Sequence, residues 1–121
     1  MLKKSLIAVN ILLLLGCNTT FLGTYGEQHQ TLEAFAQRVE SVFKFQNSMT
    51  NAVMLIETEP SAAILEAEQK MQFSCESLNQ YAVRESDGLS IDLNLKRQVE
   101  KSAISCEKAA IELQHLLFPV R

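Results

Sequence analysis

Five side chains of this chain are suited to nucleophilic, redox or metal chemistry near neutral pH: Cys17, Cys75, Cys106, His29 and His115. Their spacing supports none of the usual arrangements. The cysteines are too far apart for a CxxC redox pair. Neither histidine has a second histidine or a carboxylate at a ligand spacing such as HExxH. The chain contains no GxSxG turn, no phosphate-cradling glycine loop and no CxxCH haem attachment. Met49, Met54 and Met71 read as core filler rather than as axial partners for His115 on a haem. Glu57 and Glu59 beside Pro60 resemble an acid–base pair, but they bracket a helix end more readily than a cleft. His29 sits in the polar run Glu27-Gln28-His29-Gln30 and reads as solvated. His115 lies one turn from the end of the last expected helix, where a cation suits the negative end of the helix dipole. No nucleophile can be paired with a base. The expectation is a non-enzymatic protein without a metal site or cofactor.

The elements that carry these residues read as helices. Ala, Leu, Glu, Gln and Lys are abundant and favour helix. The absence of Trp, with two Tyr and two Pro, gives no hint of a sandwich or barrel. From Leu32 a seam runs in alternating steps of three and four: Leu32, Phe35, Val39, Val42, Gln46, Met49, Val53, Ile56. This is a heptad pattern with one polar member, Gln46. Glu40 and Lys44 pair on its wet side. This first helix should begin between Tyr25 and Thr31, with Thr24 and Glu27 as a candidate capping box. Pro60 should end it near Glu57. A second helix should start near Pro60 or Ser61. It carries Ile64, Ala67, Met71, Cys75, Leu78 and Ala82 on one face, Glu66 and Lys70 outside, and a stop at Asp87-Gly88. A third, capped by Ser90 or Asp92 and ended by Pro119, carries Leu95, Val99, Ala103, Cys106, Ala110, Leu113 and Leu117. The fold expected is all-α: a small three-helix bundle making one domain over residues 25–121, with no internal repeat.

Ahead of the helices stands MLKKSLIAVNILLLLGC. Lys3 and Lys4 precede an apolar run of about ten residues, too short for a spanning helix of ~20. Leu14, Leu15, Gly16 and Cys17 close it. This segment resembles a bacterial lipoprotein signal peptide with its lipobox, although the place of Leu15 more often holds Ala, Ser or a β-branched residue. The resemblance implies removal of residues 1–16, a diacylglycerol on the Cys17 sulfur and a further acyl chain on its amine. Two or more chains hold a bilayer stably. Residues 17–24 would then be the lipidated N-terminus and tether, with residues 18–24 reaching ~25 Å when extended. Asn18 in place of Asp implies transport to the outer membrane, with the domain facing the periplasm.

Removing Lys3 and Lys4 leaves nine basic residues against 14 acidic ones, a net charge of about −5. That disfavours nucleic acid, which needs clustered Lys and Arg. It also disfavours polybasic contact with anionic lipid, so the bilayer is expected to be met through the acyl chains on Cys17.

With Cys17 lipidated, an oxidising compartment favours pairing of the remaining Cys75 and Cys106. The seams agree. An antiparallel hairpin of the second and third helices with Cys75 opposite Cys106 sets Leu78 against Ala103, Ala82 against Val99, Met71 against Ala110 and Ile64 against Leu117. Its midpoint falls at Ser90 and Ile91, inside the expected turn. A disulfide needs Cα atoms ~5.5 Å apart, closer than the usual 8–10 Å between helix axes. Ala82, Ala103 and Ala110, with Ser74, Ser102 and Ser105, leave room for that approach. Two buried thiols are the alternative.

Phe43, Phe45, Met54, Leu55 and Phe73 lie partly off the tight seams. They either widen the core or form an exposed apolar patch of the kind that marks a partner site. Phe45 and Phe73 are the candidate partner-binding residues. The plan is similar to that of secretin pilotins and other assembly lipoproteins, small lipidated helical proteins that bind an envelope protein. That likeness implies a non-enzymatic, membrane-anchored protein-binding or assembly module. A protective exclusion, immunity or inhibitor lipoprotein is the alternative, as is a helical bundle binding a lipid or small ligand.

Overall fold

A computed structural model describes residues 31–120. The cleaved-signal, lipidation, tether and Thr24–Glu27 expectations, and His29, lie outside the described residues. Among the described residues four α-helices follow one another: α1 (Leu32–Met54), α2 (Ala62–Ser74), α3 (Glu76–Ser86) and α4 (Leu93–Leu117). Among the described residues there is no strand, so the protein is all-helical there.

Helix α1 buries Phe35, Val39, Val42, Gln46, Met49 and Val53, six members of the seam expected from its spacing. Leu32 is exposed, and Ile56 falls beyond the helix, which ends three residues earlier than expected. Ser61 caps α2 by accepting a 3.3 Å hydrogen bond from the amide of Ile64. Asp92, rather than Ser90, caps α4, accepting from the amide of Leu95 at 2.7 Å. Such caps satisfy an otherwise orphaned amide of the first turn.

Gly88 closes α3 at φ 65°. Its amide donates to Glu85 O, and the next amide, of Leu89, reaches back to Arg84 O at 2.8 Å. This pair of bonds is a Schellman ending, and the left-handed residue it requires is favourable for glycine. The Arg84 side chain adds a 3.0 Å bond to Ser90 O across the turn.

The expected second helix is in fact two. Cys75 sits between α2 and α3 with φ −96° and ψ 1°, outside helical geometry. The interruption is a single residue. The Cys75 amide still donates to Met71 O, and its carbonyl still accepts from the Asn79 amide, each at 2.9 Å. Neither glycine nor proline is present to break the helix. What coincides with the break is a cross-link: Cys75 is bonded to Cys106 of α4, with Cα atoms 4.7 Å apart. That is well inside ordinary helix packing distance, so the backbone yields locally at the bridge.

Helices α2 and α4 run in opposite senses. Cys75 is tied to Cys106, while Lys70, earlier on α2, pairs at 2.6 Å with Glu112, later on α4. Met71 of α2, Cys75, Leu78 of α3 and Val99, Ala103, Cys106, Ala110 and Leu113 of α4 are all buried. Ala109 and Tyr81 are buried as well, outside the expected seams. Ile64, Ala67, Ala82 and Leu117, expected in the seams, are only half-buried.

Side-chain contacts join helix α1 to α3 and α4. The ring of Phe35 meets that of Tyr81 edge-on, centroids 6.1 Å apart. Arg38 donates to Glu107 at 3.0 Å. Buried Gln46 donates through Nε2 to Oδ1 of Asn79.

Candidate interaction surface

The helices hold the chemistry-bearing side chains apart rather than gathering them. His115 is exposed in the last turn of α4. Glu57 and Glu59 are exposed in the 55–61 connection. Among the described residues no group of three His, Cys, Asp or Glu lies close enough to hold a metal ion. No helix there is long and apolar enough to cross a membrane. The one pair that the fold brings together is Cys75 and Cys106, both fully buried and joined as a disulfide.

Among the grooves on the described surface, two are the largest. One, of about 320 Å³, lies between α1 and α3 and is lined by Ala36, Val39, Phe43, Tyr81 and Ala82, with Glu40 and Glu85 at its rim. Phe43 is therefore a groove residue, half-buried. The other, of about 530 Å³, is lined by Gln72, Glu76, Asn79, Gln80 and Arg84, with Val83 and Leu89 as its apolar members. Small-ligand sites are mostly apolar with a few polar groups. The surface lining the larger groove is likewise mostly apolar, from Val83, Leu89 and the aliphatic stems of its polar side chains.

The exposed apolar side chains are more informative. Phe73 projects from α2 with 81 % of its surface open to solvent. Phe45, the other candidate, is half-buried beside the α1 seam. The two therefore differ in kind: one is a surface residue, the other shares in the packing. Met54, Leu55, Leu65, Leu116, Phe118 and Val120 are also exposed. Sequence reasoning singled out Met54 and Leu55 but not the last four. Leu65 lies off the narrow α2 seam, and Leu116, Phe118 and Val120 lie off the α4 seam that ends at Leu117.

Charge on this surface is organised in ion pairs. Lys44 binds Glu40 within α1, and Lys70 binds Glu112 between helices. The hydrogen bond from Lys70 is the main influence holding the Glu112 carboxyl below its ordinary value of 4.5; desolvation, next in size, opposes it, and the charges of Lys70 and Lys108 add weaker attraction. A lowered carboxyl pKa stabilises the fold at pH values above the unfolded pKa. That contribution is lost as pH falls through the folded value. Exposure keeps it small. Lys70→Ala should move the Glu112 titration up towards 4.5 in a carboxyl-carbon NMR experiment. An unmoved midpoint would show that the pair is not formed in solution.

Compared with known protein families, with curated proteins and with solved structures, the chain has no match.

Proposed function

We propose that this protein is a non-enzymatic lipoprotein of the bacterial outer membrane whose helical domain binds another envelope protein in the periplasm. In this reading α2 and α3 act as one bent arm, and with α1 and α4 they make a three-armed bundle pinned by Cys75–Cys106. The observation that carries the reading is the exposure of many large apolar side chains, Phe73 foremost, on a domain of about 90 described residues. Scattered exposed leucines are ordinary. A concentration of them on a small domain marks an interaction surface. Lipidation of Cys17 supports the same reading, since confinement to a membrane raises the effective concentration of a protein for a partner in that membrane.

The anchor is tested first. Cys17→Ser should leave an unprocessed or soluble species and abolish incorporation of labelled palmitate, whereas the wild type is labelled and sediments with the outer membrane. Equal labelling of the two proteins would refute the anchor. Binding is tested by crosslinking in intact cells and mass spectrometry of what is captured. A reproducible envelope protein is expected, and its absence would remove the binding reading.

A further inference from the structure

We infer that the outer ridge of α4 lies along an anionic phospholipid surface and so sets how the domain stands on its membrane. This goes beyond the protein-binding reading and rests on one part of it, the lipid anchor that keeps a bilayer within reach.

The ridge follows from helix geometry alone. Arg97, Lys101, Ile104, Lys108, Ile111 and His115 recur in steps of four and three, which keeps them on one side of a helix. The buried residues of α4, among them Val99, Cys106, Ala110 and Leu113, occupy the opposite side. All six ridge residues are exposed, and Leu93 extends the row by one more turn at 61 % exposure. The outward face of a helix on a globular domain is normally polar. Here Ile104 keeps 53 % of its surface open to solvent in the middle of the row, with Ile111 seven residues on. From Leu93 to His115 the row runs for about 33 Å, at ~1.5 Å per residue.

The crest of this ridge differs in charge from the rest of the domain. Helix α4 holds four of the eight Lys and Arg of residues 31–120, whereas ten of the thirteen Asp and Glu lie elsewhere. Its own three carboxylates, Glu100, Glu107 and Glu112, stand at the flanks and are half-buried. Arg38 of α1 holds Glu107, and Lys70 of α2 holds Glu112. Glu100 shares its flank with half-buried Lys96, one turn earlier. Arg97, Lys101 and Lys108, on the crest, are exposed. The negative net charge disfavours contact with anionic lipid for the chain as a whole, but its distribution leaves one face where cations and isoleucines alternate.

That face is narrow and convex. Three aliphatic side chains along it fall well short of the ~800 Å² that each partner gives to a standard protein interface. A second copy meeting it ridge to ridge would set Lys and Arg against Lys and Arg. A bilayer surface asks for less, because the acyl chains already supply the attachment. Each Lys or Arg near an anionic surface is attracted to it, and apolar side chains between them enter the headgroup boundary. The same surface repels the carboxylate-rich remainder of the domain, so the α4 ridge is the face that turns towards it.

The chain contains no Trp, so a single Ile104→Trp or Ile111→Trp substitution reports on the ridge, and Val83→Trp on α3 gives a comparison off it. Full-length protein is placed on vesicles of brominated phosphatidylcholine, with or without brominated phosphatidylglycerol. On the anionic vesicles the ridge tryptophans should shift to shorter emission wavelengths and be quenched, while Val83→Trp is not. Neutral vesicles should produce neither effect. Raising the salt from about 0.1 M to about 1 M, which shortens the screening length from ~10 Å to ~3 Å, should reverse both. Arg97→Gln with Lys108→Gln should lower the equilibrium constant for the membrane-facing state about five-fold for each charge removed. All these sites are exposed, so an unchanged circular dichroism spectrum confirms that each variant is folded.

Equal quenching on neutral and anionic vesicles, equal quenching at Val83, or ridge tryptophans as open as in water overturns the proposal. So does a wavelength shift without quenching, which would mean that another copy of the chain covers the ridge. In cells, a photo-crosslinking residue at Ile104 should capture phospholipid, and capture of a protein there overturns the proposal. Protein purified without acyl chains would refute the anchor separately, and its titration with the same vesicles still decides the ridge: binding to the anionic ones alone upholds it, and binding to neither overturns it.

Discussion

Reducing the Cys75–Cys106 bond should lower the stability of the domain by about 3–4 kcal/mol, the chain-entropy value for a closed loop of this length. The bridge spans a sequence separation of 31. For a domain of this size each kcal/mol moves the melting temperature by about 4–8 °C, so a fall of roughly 15–25 °C is expected. The helices themselves need not be lost. Their seams, caps and Schellman ending persist without the sulfur–sulfur bond, so circular dichroism at low temperature should change little. Two observations check this: melting of the full-length protein with and without reductant, and alkylation of the denatured, unreduced protein, which should find no thiol at Cys75 or Cys106. A melting temperature that reductant leaves within a few degrees would mean that the bridge adds little to a fold already fixed by packing.

Phe35→Ala should be nearly as damaging. Phe35 is 1 % exposed, the largest wholly buried side chain of α1, and its ring meets Tyr81 edge-on. Truncating a buried Phe costs about 3–5 kcal/mol, part of it the aromatic contact of about 0.5–1.5 kcal/mol. The loss should be felt beyond the cavity, since this contact helps to join α1 to α3. Phe73→Ser is the internal control. An 81 % exposed ring gives up little packing, and surface changes of this kind usually cost under ~0.5 kcal/mol. Phe45→Ser, at a half-buried position, should fall between them. Denaturant midpoints of the three variants should therefore order as Phe73, Phe45, Phe35 from most to least stable. A Phe73 variant as unstable as the Phe35 variant would place Phe73 in the core and remove it from any binding face.

The α1 seam was legible because an uninterrupted helix repeats its buried face every three or four residues. Phe35, Val39, Val42, Gln46, Met49 and Val53 need only that rule. The rule weakens at the ends. Leu32 and Ile56 obey the period but lack neighbours to cover them. The Cys75–Cys106 pairing was legible because two seams share one register, and the Asp87-Gly88 stop because glycine is favoured where φ is positive. The break at Cys75 was not legible. The apolar period runs through it unchanged, and the geometry that interrupts the helix is imposed from α4, thirty-one residues away. Tyr81 and Ala109 were missed for a related reason: how wide a helix face is buried depends on where its neighbours lie. The anchor at Cys17 was legible by resemblance alone, and that resemblance concerns residues ahead of those described.

The hydrogen bond between Gln46 and Asn79 bears on how many ways the helices could have packed. Apolar seams are permissive, since one Val or Met fits most grooves about as well as the next. Sliding α1 by one heptad in either direction would set Val39 or Val53 where Gln46 now stands, with little change in apolar burial. It would also leave the buried Gln46 amide without its partner, at about 1–3 kcal/mol for an unsatisfied buried group, and unpair the half-buried Asn79. A polar residue in an otherwise apolar seam fixes register in this way, even where it adds little to stability. The pair thus selects one alignment from several near-equals and widens the energy gap that separates a unique native state from its competitors.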